Sequence, residues 1–208
     1  ESACDTLDLS SWKRAFCGAE PIPADLLGRF STRFAKQGLD PKAAFACYGM
    51  AEYTLFIAGE PGIPATEATL SNSTVAPCLL SADQTCALPI CDPNSGHVLP
   101  EGATGELWLR GGSAAAEYIG QTKDTSQTFV QTADGESWLR TGDLGRVSGQ
   151  FLLISGRLKD IIITNGQNVA AAEIEWLAAK EDTALNPMGA AVFVPPGAPN
   201  GHAALFIE

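Results

Sequence analysis

Short apolar runs closed by glycine, with one apolar stripe at helical spacing among them, lay out the first part of this chain. Arg14 to Cys17 is a brief apolar run that reads as a buried strand, and Gly18, Ala19, Glu20 and Pro21 form the turn after it. Leu26, Leu27, Phe30 and Phe34 then recur at the helical period, and Gly38 stands just past them as a stop. Ala43 to Cys47 is the next strand, so strand, turn, helix and strand open an α/β unit. Tyr53 to Ala58 starts as a helical turn and continues extended. From Gly59 to Cys78 the periodicity fades among Gly59, Pro61, Gly62 and Pro64, which predicts a loop.

Further on, Cys86 to Cys91 is a short strand, Asp92 to Gly96 a turn, and Gly105 to Arg110 alternates as a half-buried strand does. Ala114 to Tyr118 reads as a short helical segment, Phe129-Val130 as the start of a strand, and Asp134-Gly135 as a tight turn before Trp138-Leu139. Thr141-Gly142 is a turn signal that carries Asp143. The apolar run Phe151 to Ile154 and the Gly156-Arg157 step follow it. Repeated short strands with glycine turns predict a β-barrel-like subdomain packed beside the α/β part.

From Gly156 the pattern changes. Ile161 to Thr164 is a β-branched strand ending in Asn165-Gly166, and Ile174, Leu177 and Ala178 mark an amphipathic helix with Glu173 and Glu175 off its stripe. Ala190 to Val194 and Ala203 to Ile207 are two further strands. The fold class expected is therefore α/β with a β-barrel-like subdomain, followed by the start of a small α+β C-terminal domain. The boundary separates residues 1–155 from residues 156–208.

Charge narrows the set of partners. Twenty-four acidic against 13 basic residues give a net charge of -11, which repels nucleic acid and anionic membrane surfaces. No apolar stretch approaches the roughly 18 residues of a membrane span, and no basic-then-apolar signal opens the chain. Both ends look cut, as in a fragment of a longer protein. The six cysteines are irregularly spaced, without a CxxC pair, and read as reduced, mostly packed thiols of a cytoplasmic protein. His97 and His202 lie in turn contexts and read as exposed. The Asn72 sequon carries no weight in that compartment.

The candidate chemistry gathers between Trp138 and Asn168. A carboxylate such as Asp143 accepts from two vicinal hydroxyls at once, and its charge strengthens both bonds. The alternative is a turn in which it bonds only backbone N–H groups. Asp143 and Arg157 are expected in the connections at strand ends, where scaffolds present chemistry. Arg157 offers a planar fork to a hydroxyl and a phosphate oxygen, or is a surface arginine with a packed stem. Lys159 is a polar residue at a turn. Upstream, Tyr48 is a stacking face or a core aromatic, and Glu52 is a ligand for a hard divalent ion or a helix-start carboxylate.

TGDLG followed by GRLKDIIITNGQN, with YGMAE upstream, resembles the ribose-binding, hinge and adenine motifs of the adenylate-forming superfamily. SSWKRAFCGAEP, FACYGMAEYTLFIAG and GRLKDIIITNGQN are most similar to fatty acyl-AMP ligases. Cys17 departs from that subfamily, which commonly has Asn there; the basic residue often found before Gly166 is missing, as is the proline expected at Ala171 or Ala172. The chain also lacks the superfamily's Gly-rich phosphate loop and its C-terminal catalytic lysine.

The resemblance implies ATP-dependent activation of a fatty acid to an acyl-adenylate, for transfer to an acyl carrier protein, with ATP and Mg²⁺ as cofactors. It implies that Gly18, Ala19, Glu20, Tyr48, Gly49, Met50 and Ala51 line the adenine site, and that Asp143 holds the ribose. Arg157 reaches ribose and phosphate, Glu52 holds the metal, and Lys159 is the hinge of the small domain. Glu52, Arg157 and Lys159 are thereby the catalytic candidates. An acyl-CoA ligase, with coenzyme A as acceptor, a peptide-synthetase adenylation domain and a catalytically silent nucleotide-binding remnant are the alternatives.

Overall fold

The computed structural model describes residues 4, 6–64, 66–67, 70, 73–82, 87–164, 167–181, 189–199 and 202–207. Asn72, Cys86, Asn165 and Gly166, singled out above, lie outside the described residues.

Strand β1 (Ala15–Cys17) runs parallel to β2 (Ala44–Ala46), with Phe16 paired to Phe45, and helix α1 (Leu26–Phe34) makes the crossover. A parallel pair requires such a connection. The apolar spacing that predicted α1 turns Leu27 toward the core cluster, while Trp12 meets Phe30 edge-on at 6.2 Å. The helix ends where expected, through a 3-10 turn at Ala35–Gln37 and a left-handed Gly38.

Strand β3 (Tyr48–Met50) folds back on β4 (Leu55–Ala58) through a 3-10 turn at Ala51–Tyr53. Glycine is required at position 49. A Cβ there would lie 1.7 Å from the carbonyl oxygen of Leu55, so any side chain would force the hairpin open.

The largest sheet is antiparallel throughout. Its strands are β5 (Cys78–Leu79), β6 (Ile90–Cys91), β7 (Gly105–Leu109), β8 (Phe129–Gln131), β9 (Ser137–Ser148) and β10 (Phe151–Arg157). They pair in the order β5-β10-β9-β7-β6, with β8 on β9. This is an open path with β5 and β6 at its edges, so among the described residues the expected β-barrel-like subdomain is a sheet and not a closed barrel. Its inner face joins Ile57 and Tyr53 in one core with Leu107, Leu109, Leu139 and Leu152.

Three sequence expectations change here. Strand β7 is buried along its whole length and is not half-buried, because its polar residue, Glu106, has an ionic partner in β9. Ala114–Tyr118 is not helical. The helix lies further on, in the wholly polar segment Thr122–Thr128 (α2), which has no apolar stripe to announce it. Thr141, Gly142 and Asp143 form no turn between elements, and Asp143 lies within β9.

Beyond Arg157, a 3-10 turn at Leu158–Asp160 leads to β11 (Ile161–Thr164), which pairs antiparallel with β12 (Gln167–Ala170). Helix α3 (Ala171–Glu181) and the antiparallel pair β13 (Ala190–Phe193) and β14 (Ala204–Ile207) follow. β12 was not expected, because its polar start looks like a loop. Val192 N–H donates to Glu175 Oε1 at 2.8 Å, which ties α3 to β13. Leu177, on the expected apolar stripe, is 59% exposed.

Candidate functional site

A cavity of about 680 Å³ lies where the β-strands meet the segment after Arg157. One wall comes from the turn after β1, the start of β3, the middle of β9 and the end of β10. The other comes from Lys159 to Ile162, the start of α3 and β13.

Asp143 is the centre of the first wall. Its place follows from a local irregularity in the sheet. Glu106 pairs with Leu144 and Trp108 pairs with Arg140, so the single residue Leu107 faces three residues, Thr141, Gly142 and Asp143. Such a bulge bends its strand and re-aims a side chain. Gly142 takes up the bend at φ +70°, a conformation that favours glycine.

The Asp143 carboxylate is held from both sides. Tyr48 donates its hydroxyl to Oδ2 at 2.7 Å, and Arg157 Nε lies 3.0 Å from Oδ1. Arg157 is the register partner of Asp143 at the end of β10, and its side chain remains 55% exposed. Burial pushes the Asp143 carboxyl above the ordinary carboxylate range; the bond from Tyr48 and the charge of Arg157 pull it back in part, and the charge of Glu52 adds to the rise. Burial and the neighbouring Asp143 charge push the Tyr48 phenol upward as well, so Tyr48 is a donor here at any ordinary pH.

The cavity brings together Ala19, Glu20, Tyr48, Gly49, Asp143, Arg157 and Lys159. Gly18, Met50, Ala51 and Glu52 are not in its lining. A Cβ on Gly18 would lie 2.7 Å from Cys47 Sγ, which explains the glycine by packing. Glu52 sits on the 3-10 turn after β3, where its Oε1 accepts from the Tyr118 hydroxyl at 2.6 Å and its backbone carbonyl accepts from Ala115 N–H at 2.7 Å. Asp143 is in mid-strand, and not in a connection as the sequence suggested; Arg157 closes its strand and Lys159 lies in the turn that follows.

Sequence reasoning missed the polar groups packed behind Asp143. Glu106, 2% exposed, accepts from Arg140 Nη2 at 2.7 Å, from Trp108 Nε1 at 3.0 Å and from the backbone N–H of Gly142 at 3.2 Å. Arg140 also donates to the Pro93 carbonyl at 3.0 Å and lies over the Trp108 ring. Thr141 donates to the Leu107 carbonyl at 2.8 Å and accepts from Asp143 N–H at 3.0 Å. The available signal was a glutamate inside an otherwise apolar strand sequence, which needs a cation to be buried. Tyr118 was missed because it lies in a loop of small residues. Burial, followed by its bond to Glu52, pushes its phenol up.

The chain that carries this geometry has relatives among known proteins. Residues 1–119 match the family described as AMP-binding enzyme. The chain is similar to a medium-chain-fatty-acid-[acyl-carrier-protein] ligase of Teredinibacter turnerae, 34% identical over 220 residues that cover 90% of this chain and 34% of the relative. It is also similar to a putative fatty-acid-CoA ligase of Mycobacterium tuberculosis, 35% identical over 191 residues, 81% of this chain and 33% of the relative. A solved structure from work on fatty acyl-adenylate ligases of E. coli and L. pneumophila superposes with a TM-score of 0.78 at 26% identity, over 99% of this chain and 39% of that one. The chain thus spans about a third of the length of the curated relatives it matches.

Proposed function

The chain belongs to the AMP-binding enzyme family, and from that membership we propose that the protein activates a fatty acid as its acyl-adenylate. The observation that carries this reading is the Asp143 carboxylate, buried in the cavity wall between Tyr48 and Arg157. A carboxylate in that position accepts from both hydroxyls of a ribose. In the cavity Tyr48, Ala19, Glu20 and Gly49 provide the adenine side, while Gly18, Met50 and Ala51, expected beside them, support it from outside the lining. Arg157, more than half exposed at the cavity, is placed to turn its remaining N–H groups to phosphate.

In the proposed reaction a carboxylate oxygen of the fatty acid attacks the α-phosphorus of ATP. The bond from that phosphorus to the bridging oxygen breaks, and pyrophosphate leaves with the electron pair. The protein contributes by holding the nucleoside and placing cationic groups beside the charge that develops. Mg²⁺ keeps several waters and takes one or two protein carboxylates beside substrate phosphates. Glu52 is the carboxylate that would hold the ion, from outside the cavity lining but near enough for its charge to act on Asp143, with its Oε1 shared with the Tyr118 hydroxyl. No cluster of three metal-binding side chains exists among the described residues. The bound ion supplies neutralisation of phosphate charge.

In this reading residues 1–155 are the later part of a large adenylation domain. Residues 156–208 are the hinge, at Lys159, and the beginning of a small domain. Transfer of the acyl group to an acyl carrier protein is supported by the name of the Teredinibacter relative. The Mycobacterium relative's name supports a second reading, transfer to coenzyme A. No helix among the described residues is long and apolar enough to cross a membrane, and the proposed location is the cytoplasm, where ATP and the acceptor thiols are found.

The test is ATP–pyrophosphate exchange by the full-length protein with fatty acids of several chain lengths. Exchange should require a fatty acid and fall at least on the order of 100-fold in Asp143→Ala, the scale of one charge-assisted grip lost. A folded full-length protein that gives no exchange with any carboxylate would leave the silent nucleotide-binding remnant as the better account. Product analysis with acyl carrier protein and with coenzyme A separates the two acceptors.

A further inference from the structure

Resting on the ribose assignment of Asp143, we propose that Glu106 and Thr141 are positioning residues, which hold open the β9 bulge that turns the Asp143 carboxylate into the cavity. A bulge interrupts the ladder and leaves backbone groups without their strand partners. Here side chains replace those partners. Glu106 takes the N–H of Gly142, and the Thr141 hydroxyl takes the N–H of Asp143 while donating to the carbonyl of Leu107. Thr141 and Gly142 are thereby tied to Leu107 and Glu106 of β7, and Asp143 is tied to Thr141.

Burial makes the Glu106 tie stiff. Its carboxylate is 2% exposed and has Arg140 and Trp108 as further donors, so it has no other place to turn. Arg140 is itself fixed by the Pro93 carbonyl. A bidentate guanidinium and an indole N–H thus orient the acceptor, the acceptor orients Gly142, and Gly142 at φ +70° sets the direction of Asp143. A flattened β9 in full register with β7 would move Asp143 to a different pairing and release it from Tyr48. Neither Glu106 nor Thr141 lines the cavity, so both act through Asp143 and not on the nucleotide.

The full-length protein tests this with ATP and 2′,3′-dideoxy-ATP, both assayed by fatty-acid-dependent pyrophosphate exchange. The native protein should prefer ATP on the order of 100-fold in kcat/KM, the scale of charge-assisted bonds to the ribose hydroxyls. Asp143→Ala should bring the ratio close to one. Glu106→Gln and Thr141→Val should each cut the preference to roughly tenfold or less, since a displaced carboxylate keeps only part of its hydrogen-bond strength. A merely structural lesion would instead depress both nucleotides alike and keep the ratio.

If Glu106→Gln does not fold, Thr141→Val decides, since it removes one hydroxyl and keeps the side-chain shape. Retention of the native ratio in the folded variants, with Asp143→Ala collapsed, overturns the positioning role and leaves the ribose assignment standing. A native protein that does not distinguish the two nucleotides overturns the ribose assignment itself and the inference with it; one that gives no exchange overturns the activity alone, and the same preference is then read from the binding of ATP and 2′,3′-dideoxy-ATP by calorimetry.

Discussion

The two walls of the cavity are built to different standards. On the sheet side, Leu107, Leu109, Leu139 and Leu152 are at most 1% exposed, and a buried glutamate has a full set of donors. Beyond Arg157, Ile162 and Val192 are buried, but Leu177, Phe193 and Phe206 lie largely in the open, with the two phenylalanine rings stacked at 5.5 Å. The residue whose aim matters most, Asp143, belongs to the well-packed wall. Under the hinge proposed at Lys159, the difference makes the sheet side the fixed reference surface, against which the second wall would change position without disturbing Asp143.

The largest effect expected from that contrast is on stability. Leu107→Ala should cost about 2–5 kcal/mol in chemical denaturation, since it opens a cavity in a core that cannot readily collapse. Leu177→Ala in the same 208-residue chain should change stability by no more than about 0.5 kcal/mol, as at other exposed positions. A cost for Leu177→Ala comparable with that for Leu107→Ala would break the comparison and show that α3 is covered on its apolar side.

Next comes the charge in the fixed wall. Burial raises the folded-state pKa of Asp143 above its unfolded value, so the native state holds this proton more tightly than the unfolded chain. The ionised carboxylate therefore lowers stability above the folded pKa, and the loss is relieved as pH falls through it. Asp143→Asn should accordingly raise the thermal midpoint of the ligand-free protein at neutral pH, with an advantage that vanishes in acid. Arg157→Gln should move the Asp143 titration upward, because it removes a favourable charge; carboxyl NMR reads this directly. A downward movement would show that Arg157 does not stabilise the ionised Asp143.

These two walls were not equally legible in the sequence. The α1 stripe, the Gly38 stop, the strands β1 and β2 and the apolar runs of β10 and β11 were read correctly as elements because each depends on neighbours a few residues away. Strand β1 is not the buried strand expected, however, since Phe16 is 72% exposed. Glu106 in β7 suggested an exposed face, since its partner Arg140 lies 34 residues on and only pairing of β7 with β9 brings them together. Gly142 suggested a turn because a left-handed glycine has the same sequence signature in a turn and in a bulge. The polar helix α2 and the polar start of β12 had no periodicity to reveal them. Asp143, Arg157 and Tyr48 stood out through their motifs, but nothing local indicated that one carboxylate would meet both of the others.

At the rim of the fixed wall the effects become smaller. Tyr118→Phe removes the hydroxyl that donates to Glu52 and keeps the ring that meets Phe129 at 5.3 Å. The loss should be about 1 kcal/mol in denaturant unfolding, the net value of a hydrogen bond whose ring contact survives. A loss above about 3 kcal/mol would mean that the loop from Ser113 to Tyr118 belongs to the rigid core and that the fixed wall extends through Glu52.

The smallest effect concerns one contact between the two sides, made by residues outside the cavity lining. Thr74 donates its hydroxyl to Glu173 Oε1 at 2.5 Å, across 99 positions of sequence, and both residues are exposed enough for water to compete. Its removal by Thr74→Val should therefore cost only about 0.5 kcal/mol in global stability. Local stability is the more sensitive reading, because segments with few buried contacts open at free energies well below the global value. Amide exchange should quicken in α3 and β13, which Val192 and Glu175 tie together, and stay unchanged in β7 and β9. Faster exchange in β9 as well would show that the walls move as one body, and the distinction between a fixed and a movable surface would have to be withdrawn.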